Sequence, residues 1–161
     1  MALFYTEQET PCCLLAPASG EVVSIYDLPD ILFSSGTLGE GFAVIPEEEI
    51  VCAPIDGIIT QICDTLNGYT LLTDSGAEIA IFVGLGGEVL LGDGYRALVL
   101  PNQRVSVGTP ICAFDPEILK AGGITTTTAV ILKNPDSFRE LTVFEGDCRI
   151  SQSVVMSFTG V

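Results

Sequence analysis

The sequence contains no histidine, and its charge is one-sided: six lysines and arginines stand against 21 aspartates and glutamates among 161 residues. Without imidazole, the usual acid–base group of catalysis and the commonest nitrogen ligand of zinc are both missing. We therefore predict no metal site and no cofactor. The formal net charge of −15 repels the phosphates of nucleic acids and anionic lipids, so neither is expected as a partner. The acidity favours solubility or, alternatively, a protein partner with a basic surface.

Long hydrophobic runs are also missing, although 48% of the residues are hydrophobic. No apolar run approaches the roughly 20 residues that a membrane-spanning helix needs, so no membrane insertion is expected. The first residues, MALFYTEQETPCC, lack the basic start and apolar core of a secretory signal, which predicts a cytoplasmic protein. The length suits a single domain over residues 12–161, preceded by a polar lead-in over residues 1–11.

The six cysteines form no C-x-x-C motif, and without a secretory signal they do not indicate a disulfide framework. Cys52, Cys112 and Cys148 stand inside apolar runs, where a free cysteine behaves as a small hydrophobic residue. The adjacent Cys12 and Cys13 could instead form an exposed redox pair or a metal-sensitive position, an alternative that we do not favour.

The stretch NGYTLLTDSGAEIAIFVG predicts a β-hairpin. Its two β-prone runs, Tyr69–Thr73 and Ala77–Val83, flank an Asp-Ser-Gly turn. In an antiparallel hairpin centred on Ser75, the numbers of facing residues sum to about 150. Asn67 and Phe82 should therefore lie opposite one another to within one residue.

Alternation along the second strand of this hairpin predicts which side chains enter the core. Ile79 and Ile81 share one face with Val83, and this apolar face should be buried. Ala80 and Phe82 share the other face. Phe82 then either fills a hole beneath a covering loop or forms an apolar plug in a docking surface.

Short β-prone runs with Gly and Pro turns dominate the rest of the chain and predict an all-β sandwich or barrel with a few short helical turns. The expected elements include a second hairpin of Glu88–Leu91 and Tyr95–Leu100, helical turns over Leu28–Phe33 (capped by Asp30), Asp115–Ala121 and Asn134–Leu141, and a closing strand within Arg149–Met156.

An internal repeat relates APASGEVVSI (Ala16–Ile25) to APIDGIITQI (Ala53–Ile62). The shared A-P-x-x-G pattern indicates a turn that begins with Pro, a Gly at a tight backbone position and then a strand, so we expect a pseudo-symmetric β fold. Biotinyl and lipoyl carrier domains use a similar pattern, but they need a lysine at a hairpin tip. Lys120, in a predicted helical turn, and Lys133, at a strand end, do not fit that requirement.

Several segments in this order resemble one family. They are APASGEVVSIYDLPDILFSSGTLGEGFAVIP, VCAPIDGIITQI, TDSGAEIAIFVGL, GDGY, NQRVSVGTPICAFD and TTTTAVILKNPD. The sequence from Cys12 to Met156 resembles the glucose-type enzyme IIA domain of the bacterial phosphoenolpyruvate:sugar phosphotransferase system. The resemblance implies a β-sandwich of the barrel-sandwich hybrid type, built from a duplicated hybrid motif. It also implies a role in sugar transport as a phosphoryl carrier.

The same resemblance implies two facing histidines, which this chain lacks. Phe82 stands where the family's phosphorylated histidine falls, and Asn67 stands at the supporting histidine, whereas the associated Thr65 is retained. A phenyl ring has no nucleophile, and a neutral amide is a poor nucleophile and a poor base. We therefore expect a degenerate homologue that is not an enzyme and has no catalytic residues. Modification of Thr65 or Cys63 is a disfavoured alternative.

The resemblance also implies a docking face for a protein partner, either the small histidine phosphocarrier or a sugar-transporter component. An apolar ring around the histidine positions is partly retained, while Cys63, Ala80 and Gly86 differ from the common residues there. The predicted partner-binding residues are Asp30, Ile31, Leu32, Phe33, Leu38, Asn67, Ala80 and Phe82. The alternative for Pro29–Phe33 is an ordinary buried helical turn.

Three functions remain open from the sequence: a regulatory or protein-binding module that cannot carry phosphate, an ordinary phosphoryl carrier, and a structural or assembly protein that kept only the fold. The missing histidines favour the first.

Overall fold

The computed structural model describes residues 11–160, so residues 1–10 of the predicted lead-in lie outside the described part. The strands are β1 (Cys12–Leu15), β2 (Gly20–Ser24), β3 (Glu40–Pro46), β4 (Ile50–Cys52), β5 (Gly57–Ile62), β6 (Gly68–Leu72), β7 (Glu78–Val83), β8 (Tyr95–Ala97), β9 (Arg104–Val105), β10 (Pro110–Phe114), β11 (Thr128–Leu132), β12 (Phe138–Val143), β13 (Gly146–Cys148) and β14 (Val154–Gly160). The short helices are α1 (Ile31–Ser34) and α2 (Pro116–Ala121), with 3₁₀ turns at Ile25–Asp27, Gly87–Leu90 and Pro135–Ser137.

The strands form three antiparallel sheets that enclose the main core. The large sheet has the order β13-β2-β3-β11-β7-β6-β5-β9, and the two three-stranded sheets have the orders β1-β14-β12 and β4-β10-β8. All three sheets contribute side chains to this core: Ile79 comes from the large sheet, and Leu14 and Ile111 come from the two small sheets. This arrangement confirms the predicted all-β sandwich. No helix among residues 11–160 is long and apolar enough to cross a membrane.

The two repeats make reciprocal backbone contacts. The Leu15 N–H donates to the Pro54 carbonyl, and the Cys52 N–H donates to the Pro17 carbonyl, each at 2.8 Å. Residue 52 follows residue 15, and residue 54 follows residue 17, by 37 positions. The same spacing separates Ala53 of the second repeat from Ala16 of the first. Equivalent groups therefore exchange equivalent bonds, as a duplicated motif with an approximate two-fold relation requires.

The central hairpin of β6 and β7 follows the predicted register. Gly68 faces Phe82, and the next bond joins the Val83 N–H to the Asn67 carbonyl at 2.7 Å. Asn67 and Phe82 are thus displaced from direct opposition by one residue, within the predicted margin. Ile79 and Ile81 are fully buried with Val83, which confirms the predicted core face.

A covering segment, residues 25–38, crosses the outer face of the large sheet. Its buried side chains Ile25, Leu28 and Phe33 form a second apolar cluster with Ala80 and other small or branched residues of the sheet. Its α-helical turn, α1, is capped as predicted, because the Asp30 carboxylate accepts a hydrogen bond from the backbone N–H of Leu32 at 2.9 Å.

The predicted second hairpin is wrong. Residues 87–90 form a 3₁₀ turn instead of a strand, and β8 pairs with β10. The reason is a glycine-rich turn that closes over a buried tyrosine: the Tyr95 hydroxyl occupies the place that a Cβ of Gly87 would need, and it donates to the Val83 carbonyl at 2.7 Å. Gly86 begins the turn with φ of +79°.

The predicted helical turn over residues 134–141 is wrong for its second half. Only Pro135–Ser137 is helical, while β12 begins at Phe138 and pairs with β14. Phe138 is buried with its ring 4.9 Å from that of Phe158, a contact far along the chain. The predicted closing strand also begins later, at Val154, whereas α2 follows the prediction and is capped by Asp115.

Candidate functional site

A depression of about 270 Å³, here called the central depression, opens where the covering segment meets the end of the central hairpin. Its lining comes from the covering segment (Asp30, Leu32, Phe33, Leu38), the β5–β6 connection and the start of β6 (Cys63, Thr65, Asn67, Gly68), and the end of β7 with the turn after it (Phe82, Gly84, Leu85, Gly86, Glu88). Three segments that are distant in sequence therefore build one site.

Phe82 forms part of the wall of the central depression. Strand alternation directs it to the outer face of the large sheet, where it is half-buried beneath the covering segment. Its ring meets that of Phe33 edge to face, with centroids 5.3 Å apart. The side chain thus packs under the covering segment with one part and lines the depression with the other, so both interpretations of Phe82 describe part of its environment.

Asn67 is 5% exposed and joins a short polar chain. The Thr65 hydroxyl donates to Asn67 Oδ1 at 2.6 Å, and Asn67 Nδ2 donates to a carboxylate oxygen of Glu88 at 3.4 Å. The backbone next to Asn67 is fixed by a hydrogen bond from the Tyr69 hydroxyl to the Leu66 carbonyl at 2.8 Å. Leu66 itself has φ of +62°, which turns the chain into β6.

Glu88 is the charged lining residue that the sequence analysis missed, because residue 88 was assigned to a strand. The glycines at 84, 86 and 87 were the available signal, since such a cluster favours a tight turn over a strand. Beneath that turn, burial raises the pKa of Tyr95 to about 12, so its hydroxyl keeps the proton that it donates to the Val83 carbonyl well into the alkaline range.

The predicted partner-binding residues gather around this site. Asp30, Leu32, Phe33, Leu38, Asn67 and Phe82 line the central depression. Ala80 is 5% exposed and lines an adjoining depression of about 200 Å³, which shares Leu38, Cys63, Gly68 and Phe82 with the central one. Ile31 lines neither of them, but it is 75% exposed. Leu32 is 54% exposed, so α1 is not the ordinary buried helical turn of the alternative interpretation.

The chemistry available in the central depression is limited. Its charged lining residues are Asp30 and Glu88, and no lysine or arginine of residues 11–160 lines it. The Cys63 thiol is exposed, whereas Cys52, Cys112 and Cys148 are buried as predicted. No group of three or more acidic or cysteine side chains within residues 11–160 is arranged to hold a metal ion. The site offers apolar contact and hydrogen bonding around two carboxylates.

Comparison with known proteins shows the family. Residues 12–138 match the family described as phosphoenolpyruvate-dependent sugar phosphotransferase system, EIIA 1. The chain is 36% identical over 132 residues to the PTS system glucose-specific EIIA component of Halalkalibacterium halodurans, covering 82% of this chain and 75% of the relative. It is 33% identical over 144 residues to that of Buchnera aphidicola subsp. Baizongia pistaciae, covering 89% and 86%.

The fold comparison agrees. The structure of glucose permease IIA from Mycoplasma capricolum superposes with a TM-score of 0.85 at 25% identity, covering 97% of this chain and 99% of that one. With the sequence match over most of its length and the shared β-sandwich, the chain belongs to the EIIA 1 family of the phosphoenolpyruvate-dependent sugar phosphotransferase system.

Proposed function

We propose that this EIIA homologue docks a protein of the phosphotransferase system without carrying a phosphoryl group itself. The observation that carries the proposal is that Asn67 and Phe82 together line the central depression, in a chain with no histidine. We take these residues to stand at the two histidine positions of the family. A phosphoryl relay needs a nucleophile that accepts the group and releases it readily, and imidazole provides one.

The polar chain of Thr65 and Asn67 does not supply that nucleophile. Asn67 is a neutral amide whose oxygen accepts from Thr65 and whose nitrogen donates to Glu88. The Thr65 hydroxyl proton is directed at an amide oxygen instead of at a base. A phosphothreonine would in any case be too stable to pass its phosphoryl group on.

The surface around the depression supports docking. Ile31 and Leu32 expose apolar side chains beside it, and the carboxylate of Asp30 stands at its edge. Exposed apolar groups with a polar rim are typical of protein interaction sites. The partner would be the histidine phosphocarrier or a sugar-transporter component, met in the cytoplasm. The protein would then regulate or bind these components and would not be an enzyme.

Phosphorylation from phosphoenolpyruvate tests the loss of the relay. The natural chain and the double variant Asn67→His/Phe82→His are each incubated with the general phosphotransferase proteins, the histidine phosphocarrier and labelled phosphoenolpyruvate. We expect label on the variant alone, because two imidazoles would then line one depression beside the exposed apolar residues Ile31 and Leu32, which the variant keeps. Label on the natural chain would instead establish the ordinary phosphoryl carrier.

A binding measurement with a matched pair of variants tests the docking face. Leu32→Asp places a charge on the proposed face, while Leu100→Asp does so at another exposed leucine (71%) that does not line the depression. We expect Leu32→Asp to weaken phosphocarrier binding at least about tenfold and Leu100→Asp to leave it unchanged. Absence of binding by the folded natural chain would favour the structural or assembly protein.

A further inference from the structure

The central depression is electrostatically one-sided. Asp30 and Glu88 line it, and the exposed Asp64 stands between two further lining residues, Cys63 and Thr65. All three carboxyl groups contribute to the net charge of −15. Lys133 lines the adjoining depression and not the central one. A group that enters the central depression therefore meets a negative field.

Three hydrogen-bond donors that could have met an anion are directed at groups of this chain. The Leu32 N–H at the start of α1 donates to the Asp30 carboxylate, the Thr65 hydroxyl donates to Asn67, and the Asn67 amide donates to Glu88. Phosphoryl groups in proteins are held by Arg or Lys side chains and by backbone N–H groups at helix starts. The lining of this depression is arranged for the opposite charge.

We propose that this face selects the unphosphorylated form of its docking protein, the histidine phosphocarrier, and disfavours the phosphorylated form. The inference rests on the docking function proposed above. The favoured occupant is an apolar surface with a basic rim, which complements Leu32 and Phe82 by contact and Asp30 and Glu88 by charge. Occupancy of the face then reports the phosphorylation state of the partner.

The size of the selection follows from charge. A phosphoryl group adds about two negative charges, and docking would bring them against two carboxylates in a partly dehydrated site. We expect the unphosphorylated partner to bind at least about tenfold more tightly at ~0.1 M salt, with a smaller ratio as salt screens the repulsion.

The test titrates the natural chain with the histidine phosphocarrier in both forms by calorimetry. Phosphoenolpyruvate and catalytic amounts of the general phosphotransferase proteins maintain the phosphorylated form. The double variant Asp30→Asn/Glu88→Gln is measured alongside. Asn also caps helices, and Gln can still accept from Asn67, so the shape of the site is kept. In this variant we expect the affinity ratio of the two forms to fall towards one.

A second double variant, Asp136→Asn/Asp147→Asn, removes the same net charge at exposed positions outside the depression and should keep the ratio. Equal binding of both forms by the natural chain would overturn the selection while leaving the docking function intact. Tighter binding of the phosphorylated form, or loss of the ratio in the control variant, would overturn it as well. Binding of neither form would overturn both proposals.

Discussion

The two repeats build equivalent parts of the scaffold, but the chain that follows each of them differs. The Ala16 N–H donates to the Ser153 carbonyl and the Ala53 N–H to the Thr109 carbonyl, both at 2.8 Å. After the first repeat the chain becomes the covering segment, residues 25–38. After the second it becomes the short connection from β5 to β6 that carries Thr65 and Asn67.

This difference indicates which segments of the fold maintain its stability and which build the site. The repeated segments hold the sheets together through backbone bonds and fully buried side chains, so substitutions there act on stability. The unrepeated segments meet outside the main core and line the central depression. Asn67 and Phe82 are among these lining residues, and neither belongs to the main core.

The largest loss of stability is expected from substitution of the single Gly of an A-P-x-x-G element, Gly20 in the first repeat and Gly57 in the second. A Cβ at Gly20 would overlap the Ile45 carbonyl oxygen, and its φ of +151° is one that L side chains rarely adopt. At Gly57 a Cβ would lie 2.6 Å from the Leu72 carbonyl oxygen and 2.7 Å from a movable Leu71 methyl. We expect Gly20→Ala to lower the free energy of unfolding by at least about 4 kcal/mol and Gly57→Ala by about half as much. Urea unfolding of the two variants measures both free energies. Equal losses would contradict the prediction that Gly20 tolerates a side chain less well than Gly57.

The next effect separates the inner and outer faces of β7. Ile81 is fully buried in the main core, while Phe82 is half-buried under the covering segment. We expect Ile81→Ala to lower the free energy of unfolding by about 4 kcal/mol and Phe82→Ala by about 1.5 kcal/mol, because the outer site can partly collapse and is already open to water. Chemical unfolding of the two variants gives both values. If Phe82→Ala lowered the free energy of unfolding as much as Ile81→Ala, the outer face of β7 would contribute to stability as strongly as the inner face.

An effect smaller than those at Gly20 and Ile81 concerns alkaline pH and the two small sheets. Cys112 faces Val51 in one sheet, as Met156 faces Leu14 in the other. Burial raises the pKa of Cys112 to about 11, whereas methionine does not ionise. Below about pH 9 the Cys112 thiol is protonated in both the folded and the unfolded chain. The free energy of unfolding therefore does not change with pH through this group, and its full stabilising contribution is present. Between about pH 9 and 11 the unfolded chain loses this proton while the folded chain keeps it, and stability falls.

This pH effect is measured by urea unfolding of the natural chain and of Cys112→Ala from pH 7 to 11. We expect the natural chain to lose about 2 kcal/mol more than the variant over that range. The neighbouring Tyr95, whose pKa is raised to about 12 by burial and by the charge of Cys112, adds a loss above pH 10 that is smaller in the variant, where the Cys112 charge is absent. Parallel stability curves would show that the Cys112 thiol does not titrate differently in the folded and unfolded states.

Local patterns in the sequence were sufficient for the central hairpin and the helix caps. Alternation placed Ile81 inside and Phe82 outside, and Asp30 and Asp115 cap the helices that they precede. The failures occur where a tertiary contact decides. Phe138 is a strand residue because it packs on Phe158, and the turn that carries Glu88 is shaped by the Tyr95 hydroxyl beneath it. Neither contact leaves a periodic pattern in the local sequence.

By itself the sequence determined the duplicated scaffold, the register of the central hairpin and the absence of any imidazole, because each of these follows from residue identity and short-range spacing. Only the tertiary structure decided that Asp30, Asn67 and Glu88 share one depression and that Asn67 donates to Glu88. These residues come from three separate segments, and packing of the covering segment on the large sheet brings them together. The negative field of the site is therefore a property of the fold.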